Sequence, residues 1–273
     1  MATRLDANEA PRIELDPDAG RDWTPVVRAA SVVAFFVLWG VVSWANVRLV
    51  FINPSLLPTP WEVGVAALEM LRRGELHVHI WASVRRVIEG FTLGAVLGVG
   101  LGTLVGQWRW ARHALEPIIE LLRPIPPLAL LPMMVIWFGI GESSKIVFIA
   151  YACFFPIFVT AVEGMGYADE VLERAAESLG ASPTQRFLHV VLPAATPSII
   201  TGLRLGLGLS FFVIVAAEFV AADSGLGYLI NEGRNFFLLS QMFVGAILVG
   251  LVGLVANGLV RRLESRLLRW REQ

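Results

Sequence analysis

The chain of 273 residues has little charge, a single cysteine and a single lysine. Asp, Glu, Lys and Arg together make up 16% of it against 56% hydrophobic residues, which excludes a disordered chain and an ordinary soluble enzyme. Twenty-two basic and 23 acidic residues leave a net charge of −1, so no basic field exists to neutralise a phosphate backbone, and nucleic acid is not expected as a partner. Cys153 stands alone in an apolar stretch, which excludes a disulfide framework, a CxxC redox centre and a thiolate metal site. The phosphate loop GxxxxGK[ST] is missing, as are HExxH and a membrane-embedded Ser with a nearby His. An intramembrane enzyme is therefore the weakest functional class.

What the sequence has is apolar length, with a mean hydropathy of +0.65. A bilayer core about 30 Å thick needs roughly 20 helical residues. Six runs of that order occur, at about 28–47, 87–106, 115–138, 145–164, 197–221 and 241–260. An acidic polar tail over 1–27 precedes the first run. It lacks the short basic start and small-residue end of a cleaved signal peptide, so the first run is expected to be a retained span. This divides the chain into that tail, a first helix with an external connection over 28–86, a core over 87–260 and a basic tail over 261–273. Within the last, Arg261, Arg262, Arg266, Arg269 and Arg271 suit an anionic inner leaflet.

With six spans both termini share one side. That side carries 13 basic residues and the other six, with Arg123, Lys145 and Arg204 inside spans. The positive-inside rule then places both termini, and the connection over 165–196, in the cytoplasm. Arg72, Arg73, Arg85 and Arg86 crowd the outer connection and are expected on a surface helix against the membrane.

Two spans carry special backbone chemistry. Gly90, Gly94, Gly98, Gly102 and Gly106 recur every four residues, giving one helix face bare enough for close packing against another helix. In the third run Pro124, Pro126, Pro127 and Pro132 follow Arg123, and an unbroken helix cannot hold them. That run must kink or unwind, inside the bundle or beside a water-filled path.

The cytoplasmic connection is the most specific segment. In ADEVLERAAESLGAS (168–182), Leu172, Ala175, Ala176 and Leu179 fall at i, i+3, i+4 and i+7 of a short helix. Asp169 and Glu170 favour its N-terminus, Glu170 and Arg174 are spaced for an ion pair, and Gly180 supplies the stop. Its apolar face is half alanine. That suits docking into a partner's groove, although a connector helix resting on its own bundle has the same periodicity.

AAESLGASPTQRFLHVVLP resembles the cytoplasmic signature of permease subunits of binding-protein-dependent ABC importers: Glu-Ala-Ala, three residues, Gly, nine residues, Ile, one residue, Leu-Pro. Ala175 and Ala176 match the alanines, Gly180 the glycine, Val190 the Ile position, and Leu192 and Pro193 the ending, whereas Arg174 stands where the pattern has Glu. RPIPPLALLPMMVIWFGIGESSKI (123–146) and AAEFVAADSGLGYLI (216–230) resemble the permeases for taurine, and somewhat less closely those for other alkanesulfonates and nitrate. The resemblance implies an all-α membrane protein of the type I importer permease fold, with six transmembrane helices and a cytoplasmic coupling helix, in a bacterial cytoplasmic membrane. It also implies a second copy of this permease, two ATPase subunits that bind ATP and Mg, and an external substrate-binding protein, with no cofactor or metal in this chain. Coupling to the ATPase falls by this resemblance to Leu172, Glu173, Arg174, Ala175, Ala176, Leu179, Gly180, Ser182, Pro183, Leu192 and Pro193.

Charges inside spans must avoid lipid. Arg123 and Arg204 either contact an anionic substrate or act structurally, capping carbonyls or neutralising Glu120 or Glu163. The structural role is favoured, because a transporter gains little from holding cargo tightly. Glu218 either lines the path or braces GLGYL (225–229). Met133, Met134, Trp137 and Phe138 either form an apolar gate or serve as core. His77 and His79 alternate as metal ligands on a strand would, but with no third ligand nearby. A secondary transporter driven by an ion gradient is the competing class. A zwitterionic sulfonate tolerates the mixed charge of Arg123, Arg204 and Glu218 better than nitrate does, which places taurine first, other alkanesulfonates second and nitrate third.

Overall fold

The structure, a computed structural model, describes residues 24–166 and 168–267. Among these every regular element is helical and there is no strand. The chain divides into two compact units, the first ending at Pro60 and the second starting at Trp61.

In the first unit α1 (Thr24–Leu49) is a long apolar helix with a mostly exposed surface. The segment after it turns back on the helix. The Trp39 indole donates to Pro58 O at 3.1 Å, and the Ile52 amide to Asn46 Oδ1 at 2.9 Å.

The second unit holds α2 (Pro60–Arg72) from its second residue on, and α2 and α3 (Glu75–Gln107) are separated at Gly74, whose φ of +74° suits glycine and turns the chain. Then follow α4 (Arg109–Leu122), α5 (Pro127–Phe138), α6 (Glu142–Met165), α7 (Glu170–Ser178) and α8 (Pro183–Arg186). A π turn (Phe187–Val191) leads into α9 (Leu192–Ala221), and α10 (Leu226–Asn235) and α11 (Leu239–Leu267) complete the unit. Among the described residues five helices are long and apolar enough to cross a membrane, or six if α4 and α5 count as one broken span.

The centre is α6, which is apolar all round and packs on both α3 and α9. Glycine makes both contacts close. A Cβ on Gly94 would lie 2.6 Å from Ala150 O, and one on Gly102 2.6 Å from Ala161 Cβ. Gly90, Gly98 and Gly106 meet Ile149, Ile157 and Met165 in the same way. The glycine face of α3 therefore rests on α6 of its own chain. From the other side Gly202 and Gly206 of α9 abut Thr160 and Ile157. Phe148, Ile149, Cys153 and Ile157 of α6 fill the core, with Val213 and Ile214 of α9 and Leu131 and Met134 of α5.

The proline-rich run breaks at residues 123–126, and α4 and α5 meet at 99°. Pro126 and Pro127 cannot donate the amides a continuing helix needs. The Tyr151 hydroxyl of α6 satisfies one carbonyl freed there, donating to Leu122 O at 3.0 Å.

Several boundaries differ from the hydropathy reading. The second span starts at Glu75 rather than residue 87, so the boundary expected between 86 and 87 falls inside α3, and Arg85 and Arg86 belong to the span helix. The fifth span begins at Pro183, which shortens the expected 165–196 connection. α1 begins inside the expected 1–27 tail and α11 runs through residue 267 into the expected basic tail. Residues 1–23 of the acidic tail, and Arg269 and Arg271, lie outside the described residues.

Candidate coupling site and translocation path

The α7 helix is specified locally. Asp169 caps it, its carboxylate accepting from the Val171 amide at 2.8 Å, and Arg174 pairs with Glu170 at 2.8 Å. Gly180, at φ +82°, ends it in the left-handed turn that lets the Ala181 amide donate to Ala176 O at 3.0 Å. Ser182 and Gln185 then form a reciprocal capping box over Pro183 that starts α8. Arg186 pairs with Glu177 at 3.0 Å, tying the two short helices together.

No residue of α7 is buried. Leu172 and Leu179 are 59% and 89% exposed, so the apolar stripe does not rest on its own bundle. An open groove of about 380 Å³ runs from Ala176, Leu179 and Gly180 to Gln185, His189 and Val190. Arg174, where the family pattern has Glu, is engaged by Glu170 and exposed.

The motif's ending shapes the helix beyond it. The Leu192 amide donates to Phe187 O, five residues back, and Pro193 has no amide to donate. The widened π turn accommodates the proline ring, which would otherwise strike the preceding turn.

At the opposite end of α3, α6 and α9 lies a buried polar cluster. Arg86 grips Glu142 in a two-pronged contact at 2.7 and 2.8 Å and reaches Glu218 at 2.8 Å. Lys145 joins Glu142 at 2.8 Å. Two cations thus meet two carboxylates, a neutral set in which Arg86, Lys145 and Glu218 are buried and Glu142 reaches the surface. Ser83 donates to Glu218 at 2.7 Å and accepts from the Leu226 amide at 2.8 Å, while the Gly227 amide donates to Glu218 at 2.6 Å. Glu218 is 1% exposed and braces GLGYL instead of lining a path. Arg86, 2% exposed, is likewise no part of a membrane-surface helix. Sequence reasoning missed Ser83 and Glu142 and gave Arg86 and Lys145 no part in such a cluster. The signal available was two acids and two bases at the ends of apolar runs, whose meeting requires knowledge of which helices pack.

The remaining candidates separate. Arg204 pairs with Glu264 of α11 at 3.6 Å, in place of Glu120 or Glu163. Arg123 sits at the end of α4, exposed and without an ion pair among the described residues. Met134 is buried in the core, whereas Met133, Trp137 and Phe138 are exposed, so the four do not form one gate in this chain. His77 and His79 lie on a helix rather than a strand. His79 Nδ1 accepts from the Gly225 amide at 3.1 Å and its ring stacks on Tyr228. Among the described residues no group of three or more His, Cys, Asp or Glu could hold a metal.

Comparison with known proteins places this geometry in context. The chain is 38% identical over 234 residues to the taurine transport system permease protein TauC of Escherichia coli K12, covering 84% of this chain and 85% of the relative. It is 36% identical over 234 residues to the putative aliphatic sulfonates transport permease protein SsuC of Bacillus subtilis, covering 86% and 83%. It is 38% identical over 190 residues to the nitrate import permease protein NrtB of Synechocystis, covering 70% and 69%. A solved structure of the MetNI methionine ABC transporter in inward-facing conformations matches with a TM-score of 0.61 at 19% identity, over 68% of this chain and 93% of that one, and shares the fold. The model of the binding-protein-dependent transport system inner membrane component matches residues 94–269, well over half the chain. The chain belongs to that family, the membrane-spanning permease subunits of ABC importers, and has their type I fold.

Proposed function

We propose that this permease carries a small anion or zwitterion, taurine first, other alkanesulfonates second and nitrate third, across the bacterial cytoplasmic membrane by alternating access. The observation that carries this reading is the similarity to the taurine permease over 84% of the chain. Support from the charges of Glu218 and Arg204 drops out, because they are engaged by Arg86 and Glu264, and what is left is Arg123, exposed and open to a passing anion of any of these kinds. Two copies of this chain form the pathway, and an external binding protein delivers cargo. Two ATPase subunits, which bind ATP and Mg, grip the α7 stripe from the cytoplasm. Both termini share that side, in accord with the excess of basic residues there.

The test is uptake of labelled taurine, ethanesulfonate and nitrate in a strain that lacks this gene and any redundant importer, with growth on each as sole sulfur or nitrogen source. Loss of taurine uptake is expected. Unchanged taurine uptake with loss of nitrate uptake would overturn the ranking. A secondary transporter would move its cargo without an ATPase of different sequence copurifying.

A further inference from the structure

We propose that Glu120 and Arg123, on the last turn of α4, form a two-point reader for a zwitterionic cargo, Arg123 taking the sulfonate and Glu120 the ammonium. The inference rests on the sulfonate reading above and names the residues that distinguish taurine from a sulfonate without an amine.

Depth is the first argument. Leu122 O is bonded to the Tyr151 hydroxyl, and Tyr151 lies nine residues into α6, roughly 14 Å from its start at 1.5 Å per residue. Ile119, beside Glu120, packs in one cluster with Phe155 and Phe158, further along the same helix. Both charges therefore lie at the depth of the middle of a spanning helix, where a long side chain cannot easily snorkel to an interface.

Exposure is the second. Glu120 and Arg123 are both exposed on the chain's surface, and neither makes an ion pair among the described residues. Arg86, Glu142, Lys145 and Glu218 engage one another and Arg204 pairs with Glu264, while Glu116 and Glu163 are unpaired among the described residues, Glu163 only two residues from the end of α6 and so close to an interface. Lipid is a costly neighbour for an open acid and an open base, so this edge of α4 faces water in the pathway.

Spacing is the third. Arg123 keeps helical backbone angles, φ −56° and ψ −43°, so it is three residues along the same helix edge from Glu120. Residues three apart have Cβ atoms about 5–6 Å apart, comparable with the two ends of a short amino sulfonate. A zwitterion there gives each charge an opposite partner and leaves none uncompensated. The guanidinium suits the oxyanion through several donors, and the break after Arg123 keeps the following residues from covering it.

The test uses the complete importer, permease with its ATPase and binding protein, reconstituted in vesicles. ATP-driven uptake is measured with the binding protein saturated by taurine or by ethanesulfonate, which lacks the ammonium. Glu120→Gln is expected to lower the taurine rate about tenfold and leave ethanesulfonate within about twofold. Arg123→Ala is expected to lower both, and Arg123→Lys to recover part of each. Equal effects of Glu120→Gln on the two cargoes, or none, would overturn the proposal. So would loss of ATPase copurification in both Arg123 variants, which would make that residue structural. Transport of nitrate but of neither sulfonate by the wild-type importer would instead overturn the cargo reading on which the proposal rests.

Discussion

Arg86 of α3 donates to Glu218 of α9 across 2.8 Å, although 132 residues separate them in the chain. Both are almost fully buried, and between them they hold the connection from α9 to α10 through Ser224 O and the Gly227 amide. A buried pair of this kind is costly to break from one side, because the survivor keeps its desolvation without its partner.

Glu218→Ala and Arg86→Ala should therefore each destabilise the chain by about 3–5 kcal/mol, and the double variant by clearly less than the sum. Thermal unfolding of the detergent-purified protein measures this. Additive losses would show that the two residues act separately.

Gly94→Leu should sharply lower assembly yield and unfolding temperature, since even a Cβ there would stand 2.6 Å from Ala150 O. Gly100→Ala is the control. Nothing lies within 4 Å of its Cβ position, so it should be neutral, or stabilising by up to about 1 kcal/mol. Fluorescence size-exclusion profiles of both variants decide the matter.

Ala176→Asp should abolish ATP-driven uptake while the permease still inserts, because a carboxylate pressed into an apolar groove is either desolvated or expelled. ATPase copurification and vesicle uptake read it directly. Normal transport with the ATPase retained would remove α7 from the docking role.

Pro193→Ala restores an amide that can bond to His189 O and frees the π turn to relax toward α geometry. Residues before the turn would then rotate by about 100° relative to α9, since a helix has 3.6 residues per turn. Uptake per ATP hydrolysed should fall severalfold while hydrolysis continues. An unchanged ratio would show that the turn persists without the proline.

Much of this architecture is legible in the residues. Caps, an i,i+4 pair and a glycine stop specify α7 locally, and four prolines announce the break between α4 and α5. The glycine spacing on α3 announces a close contact, but only the folded chain names α6 as the partner. The start of α3 was hidden because its first turns carry Glu75, His77, His79, Arg85 and Arg86, which depress hydropathy although the helix runs on. The partners of Arg204 and Glu218 lie 60 and 132 residues away, and local spacing carries no information about such pairings.

The bare contacts on both sides of α6 have a mechanical consequence. Where bare glycine backbone of α3 and α9 seats the α6 side chains directly, each helix is keyed to its neighbour and does not slide over it, so α3, α6 and α9 move as a slab. From α8 through the π turn and α9 the chain stays helical for 38 residues, Pro183 to Val220, roughly 57 Å with α7 hung on one end and Glu218 anchored near the other. A force applied at α7 reaches the far face of the slab as tilt, with the π turn as a compliant joint in the lever.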